Sequence, residues 1–412
     1  MSKVFVIGGG ASGMMAAIAA ADNYNEVHLI EKNEKLGKKI FITGKGRCNV
    51  TNASDMNTHL NNVVSNPKFL YSAFNAFTSE DLMELIETTG IKLKIERGQR
   101  VFPVSDHSSD IIKAFTILLK ERGVNIHLNT KVVDVKKAEK TERGNIEVKL
   151  GDGRVVYCDS CIVATGGCSY PVTGSDGDGY VFARENGHDI VETHPALVPL
   201  NIKEEYCKEL QGLSLKNVKL SIFADEKMIF SDMGEMLFTH FGISGPLVLT
   251  ASSLVTDIVK NKKITAVIDL KPALSKEQLD KRLLRDFSEN INKNFKNSID
   301  GMLPKKMIPI IIRLSGIEED RKVNEITKTE RERLVELLKN MNLTVTSTRG
   351  FNEAIITKGG VDIRDISPKN MESKLVPGLF FVGEVLDLDS FTGGYNLQIA
   401  WSTGYAAGNS IW

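Results

Sequence analysis

Residues 3–31 read KVFVIGGGASGMMAAIAAADNYNEVHLIE, and the order of their parts decides the fold. An apolar run, Val4 to Ile7, is followed at once by Gly8, Gly10 and Gly13 in G-x-G-x-x-G spacing. An alanine-rich stretch from Gly13 to about Ala21 then predicts a helix, and a second apolar run, Val27 to Ile30, ends in the acid Glu31. Strand, glycines, helix, strand and acid in this order form the opening βαβ unit of a doubly wound α/β sheet. Lacking Cβ, the first two glycines allow a tight turn and close approach to a pyrophosphate, and Gly13 lets helix and sheet pack closely. The helix start turns free N–H groups on the anion. Glu31 stands where a carboxylate accepts the ribose hydroxyls of an adenosine, which argues against a 2′-phosphorylated ligand.

Further glycine-rich sites follow other apolar runs. Ala164-Thr165-Gly166-Gly167 follows Ser160 to Val163, and Gly383-Glu384 follows Leu379 to Val382. Thr392-Gly393-Gly394-Tyr395-Asn396-Leu397-Gln398 precedes a helix expected from about Asn396 to Gly408. A simple dehydrogenase needs only the first unit. A flavin dinucleotide, with its ribityl chain and ring system, must be gripped along a longer path, so these added sites favour FAD over NAD.

Between them the pattern changes. Phe69 to Thr89 and Asp110 to Arg122 predict helices, with strands near Asn125 to Leu128 and Ile146 to Leu150. Val218, Leu220 and Ile222 alternate with Lys219 and Ser221, and Ile264, Ala266 and Ile268 alternate likewise, as strands do. Ser275 with Gln278, and Thr327 with Glu330, have capping-box spacing before the helical faces Leu279, Leu283, Phe287, Ile291 and Leu334, Leu337, Leu338, Met341. This predicts a first domain in two segments, 1–194 and 346–412, with a β-rich insertion at 195–273. A helical domain at 274–345 leads back to the β-rich one.

Lys plus Arg and Asp plus Glu both number 52, without the basic excess expected of a nucleic-acid or anionic-membrane binder. A small-molecule partner is expected instead. No secretion signal precedes Val4 and no apolar run reaches membrane-spanning length, which points to the cytoplasm. The five cysteines are scattered, and Cys158 and Cys161, read on one strand, point to opposite faces. The seven histidines are dispersed without metal-ligand spacing, so no metal is expected.

The runs GKGRCNVTN (44–52), ATGG (164–167), LFTHFGISGPL (237–247), Gly383-Glu384 and GYNLQ (394–398) resemble a bacterial flavoprotein family. It includes aminoacetone oxidases and bile-acid dehydro-intermediate reductases, and the resemblance covers essentially the whole chain. It implies a Rossmann-like, glutathione-reductase-like FAD domain in two segments, with a β-rich and a helical domain inserted. By resemblance, Gly8, Gly10, Ser12, Gly13 and Glu31 hold the ADP half, and Ala11 and Lys32 also bind the cofactor. Lys38, Gly46, Arg47, Cys48 and Asn49 lie along the pyrophosphate and flavin, and the Val132 backbone meets adenine. Ala164, Thr165, Gly166, Gly383 and Gly394 line the remaining path. Glu384 replaces the Asp more usual in related flavoproteins, and Asn396, Leu397 and Gln398 present the last helix to the flavin's pyrimidine edge. Where the family usually has Thr, this chain has Asp176, whose charge, if it faced inward, would discourage an anionic substrate.

The resemblance places His240 in the substrate cleft, where its imidazole suits proton transfer near neutral pH. Arg47, Arg349 and Tyr395 are candidates for polarising a substrate carbonyl. The expected activity is two-electron hydride transfer at the flavin, as an NADH- or NADPH-linked reductase or an amine-type oxidase. No second complete G-x-G-x-x-G is present for a nicotinamide domain. The alternatives are a protein that retains FAD without turnover and, against the neutral charge, an RNA-modifying enzyme.

Overall fold

β1 (Lys3–Ile7) lies at the centre of a five-stranded sheet whose order is Leu379–Phe381, Ser160–Val163, β1, β2 (Glu26–Ile30) and Asn125–His127. Every pairing in it is parallel. Val4, Phe5, Val6 and Ile7 are all buried, as a parallel strand covered on both faces requires. The computed structural model describes residues 1–139 and 144–412, which divide into two compact units. One comprises Met1–Ala196 and Phe351–Trp412, the other Leu197–Gly350.

In the first unit, α1 (Ala11–Asp22) packs against the last helix, Tyr395–Asn409, through small residues. A Cβ on Gly404 would stand 2.3 Å from the Ser12 carbonyl oxygen, and one on Gly408 would stand 2.3 Å from that of Ala16. The four-residue step matches on both helices, so they run in the same sense with backbones in contact. Tyr395 lies nine residues before Gly404, so the last helix begins roughly 13 Å before its contact with the start of α1. Two helix N-termini are thereby staggered along one side of the unit.

Smaller sheets complete this unit, among them the antiparallel Val132–Lys137, Ile146–Leu150 and Val155–Cys158. The run read as one strand through Cys158 and Cys161 is two strands, interrupted at Asp159, which takes the Lys3 N–H on its carboxylate and gives its own N–H to the Lys3 carbonyl. Both cysteines are free and buried. Phe69 to Thr89 is likewise divided into Tyr71–Ala76 and Ser79–Thr88, because Thr78 and Asp81 form a capping box that starts a new helix.

The second unit is built on a closed six-stranded barrel of Leu200–Ile202, Gly242–Ser244, Lys227–Thr239, Ser214–Ala224, Ile264–Asp269 and Met341–Thr348. Capping boxes at Ser275 and Thr327 start the helices Lys276–Glu289 and Lys328–Lys339 as their spacing predicts. Leu279, Leu283, Phe287, Leu334 and Leu338 join one core with barrel residues such as Leu220, Ile222 and Ile268. The division into 195–273 and 274–345 therefore gives way to a single unit. Its physical reason is that Met341–Thr348 pairs with Ile264–Asp269 and Leu200–Ile202, closing the barrel after the helices. Ile291 falls beyond its helix and is exposed.

Candidate cofactor site

A cleft of about 1280 Å³, measured to its open mouth, crosses the carboxyl ends of β1, β2 and Ser160–Val163. At its base the glycine turn leaves no spare room. Gly8 has φ +107° and a Cβ there would lie 2.5 Å from the Ala164 carbonyl oxygen, while a Cβ on Gly13 would lie 1.9 Å from that of Gly8. A Cβ on Gly10, by contrast, would meet nothing within 4 Å. The turn is closed behind and bare toward the cleft.

α1 begins without a side-chain cap or an acid in its first turn, and its first intrahelical bond runs from Met14 N–H to the Gly10 carbonyl. The last helix begins the same way behind Gly394, with Gln398 N–H bonded to the Gly394 carbonyl. The N–H groups of Ala11, Ser12, Asn396 and Leu397, all on the cleft wall, are the unmatched donors of these two ends. Each end is a site for negative charge.

Glu31, 7% exposed, braces the turn as well as facing the cleft. Its Oε2 accepts the Gly9 N–H at 2.7 Å, and its Oε1 accepts the Asn33 N–H at 2.8 Å and the Asn33 side-chain amide at 2.6 Å. The three lysines on the wall are already paired. Lys32 binds Asp176 at 2.6 Å and Asp178 at 2.8 Å, and Lys38 binds Glu34 at 2.9 Å. Lys39 binds Ser169 at 2.5 Å and Glu384 at 2.6 Å. Asp176 thus has its charge matched by Lys32. With its lysines neutralised, the cleft receives an anion mainly through backbone N–H groups.

The structure brings Gly8, Gly10, Ala11, Ser12, Glu31, Lys32, Lys38, Val132, Ala164, Thr165, Gly166, Glu384, Asn396 and Leu397 together on this wall. Gly13 lies behind the turn. Gly383 packs on α1, where a Cβ would lie 2.5 Å from Ser12 Oγ, and Gly394 packs against the Thr51 carbonyl. Gln398 is buried among Thr51, Phe77 and Ser402, holding the helix rather than facing the cleft. Glu384 faces the cleft, but its carboxylate is held by Ser169 Oγ at 2.7 Å, Thr357 N–H at 2.8 Å and Lys39.

Gly46, Arg47, Cys48 and Asn49 do not line this cleft. Arg47 is ion-paired with Glu96 and Asp106 and lies 4.2 Å over the Phe102 ring, partners that no local sequence window reveals. Cys48 is fully buried, and burial pushes its thiol up to about 12. Tyr395 is also off the wall, its ring edge-on to His59 at 5.2 Å, and burial raises its phenol. Lys39, Asn33, Ser169 and Thr357 were not anticipated. Lys39 had a signal in its adjacency to Lys38 and Asn33 in its place two residues after Glu31, whereas Ser169 and Thr357 gain their role only through long-range bonds.

In the second unit His240 is exposed at the turn between Lys227–Thr239 and Gly242–Ser244. Its ring meets Phe241 edge-on at 4.9 Å, and the Arg349 guanidinium lies 4.5 Å over that same Phe241 ring.

Residues 2–410 match the family described as HI0933-like protein Rossmann domain. The chain belongs to the HI0933-like Rossmann family. A relative from Clostridium scindens, 32% identical over all of this chain and 99% of its own length, is named 3-dehydro-bile acid delta(4,6)-reductase. Relatives from Haemophilus influenzae and Escherichia coli are named ribosomal RNA dihydrouridine synthase. They are 31% and 30% identical, covering 100% and 98% of this chain and 98% and 97% of their own. Among solved structures, a 3-ketosteroid delta1-dehydrogenase from Sterolibacterium denitrificans has a TM-score of 0.52 at 12% identity, covering 99% of each chain. A flavocytochrome c3 fumarate reductase has a TM-score of 0.50 at 17% identity, covering 99% of this chain and 77% of its own. They show the fold, a Rossmann-type FAD-binding α/β domain.

The cleft of this HI0933-like protein fits FAD. Glu31 and the α1 start suit the ADP half, and the bare Gly10 backbone suits the pyrophosphate. The staggered start of the last helix suits a second, more distant negative centre. Among the described residues no helix is long and apolar enough to cross a membrane, and no group of three or more His, Cys, Asp or Glu is placed to hold a metal.

Proposed function

We propose that this FAD-dependent oxidoreductase is a reductase of a carbon–carbon double bond conjugated to a carbonyl, with NADH or NADPH as the electron source. The observation that carries the reading is the uncapped start of Tyr395–Asn409 on the cleft wall. Unmatched N–H groups there stabilise the negative charge of a reduced flavin, which two-electron chemistry in either direction requires. The relatives' names support the direction. A 3-dehydro-delta(4,6) bile acid and a uridine both hold a ring double bond conjugated to a carbonyl.

When bound and reduced, FAD held by Glu31 and the two helix starts would supply a hydride for the carbon remote from the carbonyl. The chain's part is to hold the substrate ring, and we propose that His240 gives the balancing proton to the carbon beside the carbonyl. His240→Ala is expected to slow substrate reduction about 100-fold, the lower end of general acid catalysis, without loss of bound FAD. Transient kinetics at the wild-type rate would remove His240 from the mechanism.

A second reading takes uridine in RNA as substrate. Net neutrality does not exclude it, since residues 197–350 hold 25 basic and 21 acidic side chains and the balance lies in the other unit. One experiment separates the readings: the flavin is reduced anaerobically and mixed in turn with 4-androstene-3,17-dione and a uridine-containing ribosomal RNA fragment. Recovery of the oxidised flavin band with the steroid supports a small ring ketone, and recovery with RNA supports the second reading. Reoxidation by neither, together with reduction of oxidised flavin by an amine, would replace the reductase with an oxidase.

A further inference from the structure

We propose that His59, which lies outside the cleft wall, is a positioning residue that sets the start of the last helix against the flavin. The inference rests on the FAD reading of the cleft. His59 belongs to the helix Met56–Asn62 and is 3% exposed. Its Nε2 is 2.9 Å from the Asn52 carbonyl oxygen, and Nδ1 has no partner among the described residues. A carbonyl only accepts, so Nε2 carries the proton and donates; burial lowers the ring's pKa and keeps it neutral.

Asn52, 1% exposed, carries the constraint onward. Its side-chain amide donates to the Gly393 carbonyl and to the Gly98 carbonyl, each at 3.0 Å. Gly394, at φ +102°, rests on the same strand, where a Cβ would stand 2.3 Å from the Thr51 carbonyl oxygen. The His59 helix grips the loop before the last helix again: Asn62 accepts the Phe391 N–H through its carbonyl, and Val64 donates to the Asp389 carbonyl. His59, Asn52 and Gly393 therefore form a line from one buried ring to the loop that leads to the N–H groups of Asn396 and Leu397.

His59→Phe keeps the ring against Tyr395 but removes the donor, whereas His59→Gln retains an N–H that can reach a carbonyl. The expected result for His59→Phe is that reduced FAD loses about tenfold in binding relative to oxidised FAD, a midpoint potential lower by ~30 mV for the two-electron couple. His59→Gln is expected to recover most of that shift. Asn52→Ala removes the next link and is expected to lower the potential in the same direction, which tests the line should His59→Phe not fold. A wild-type potential in His59→Phe or Asn52→Ala, or no recovery in His59→Gln, overturns the proposal. A wild-type protein that takes up no FAD refutes the cofactor reading instead.

Discussion

Gly13→Ala is expected to yield a folded protein that purifies without flavin and binds added FAD at least about 100-fold more weakly than the wild type. The added methyl would lie 1.9 Å from the Gly8 carbonyl oxygen and 3.2 Å from the Ala164 Cβ. Neither obstacle can retreat cheaply. Gly8 N–H is bonded to the Ile30 carbonyl at 2.8 Å, and Ala164 N–H to the Ile7 carbonyl at 2.9 Å, so both belong to the sheet's own ladder. The start of α1 must lift instead, taking the Ala11 and Ser12 N–H groups with it. Losing two backbone hydrogen bonds to a charged pyrophosphate, about 1.5–3 kcal/mol each, removes on the order of 100-fold or more in binding. The last helix touches α1 at Ser12 and Ala16, so the second N-terminus moves as well. The check is the visible spectrum on purification and a fluorescence titration with FAD, with far-ultraviolet circular dichroism to show that the fold persists. Wild-type affinity would mean that the turn relaxes and that its tight packing does not set the site.

The contrast between Gly13 and Arg47 shows what a sequence can disclose. Gly13 was legible because its constraint is local: strand, turn and helix follow one another within a few residues, and only glycine satisfies their geometry. The capping boxes at Ser275 and Thr327 were legible for the same reason. Arg47 stands in an equally distinctive run, yet its role is decided by Glu96 and Asp106, some fifty residues away and out of pattern. The barrel was half legible. Alternation marked its strands, but Met341–Thr348 returns after two long helices, and a pairing across that separation leaves no periodic trace. Glu384 shows the intermediate case: its approach to the cleft followed from the motif, but its neutralisation by Lys39 did not.

Glu31→Ala is expected to weaken FAD binding about 100-fold and to lower the stability of the FAD-free protein as well. A hydrogen bond to a charged group contributes about 1.5–3 kcal/mol, so if the carboxylate takes the two ribose hydroxyls of bound FAD, its loss would remove roughly 3 kcal/mol, two factors of ten. The stability loss has a separate cause, since the substitution strands the Gly9 N–H now held at 2.7 Å and releases Asn33, whose side chain also reaches the Thr173 carbonyl at 3.1 Å. A buried unsatisfied donor costs about 1–3 kcal/mol. Glu31→Gln distinguishes this bracing role from a purely electrostatic one. Both Glu31 oxygens accept backbone N–H groups, so whichever way a glutamine amide turns, its NH₂ faces a donor, at Gly9 or at Asn33. The glutamine variant is therefore expected to resemble alanine in FAD titration and in chemical denaturation. Wild-type denaturation with weakened FAD binding would confine Glu31 to the ribose, and full FAD affinity in both variants would remove it from the site.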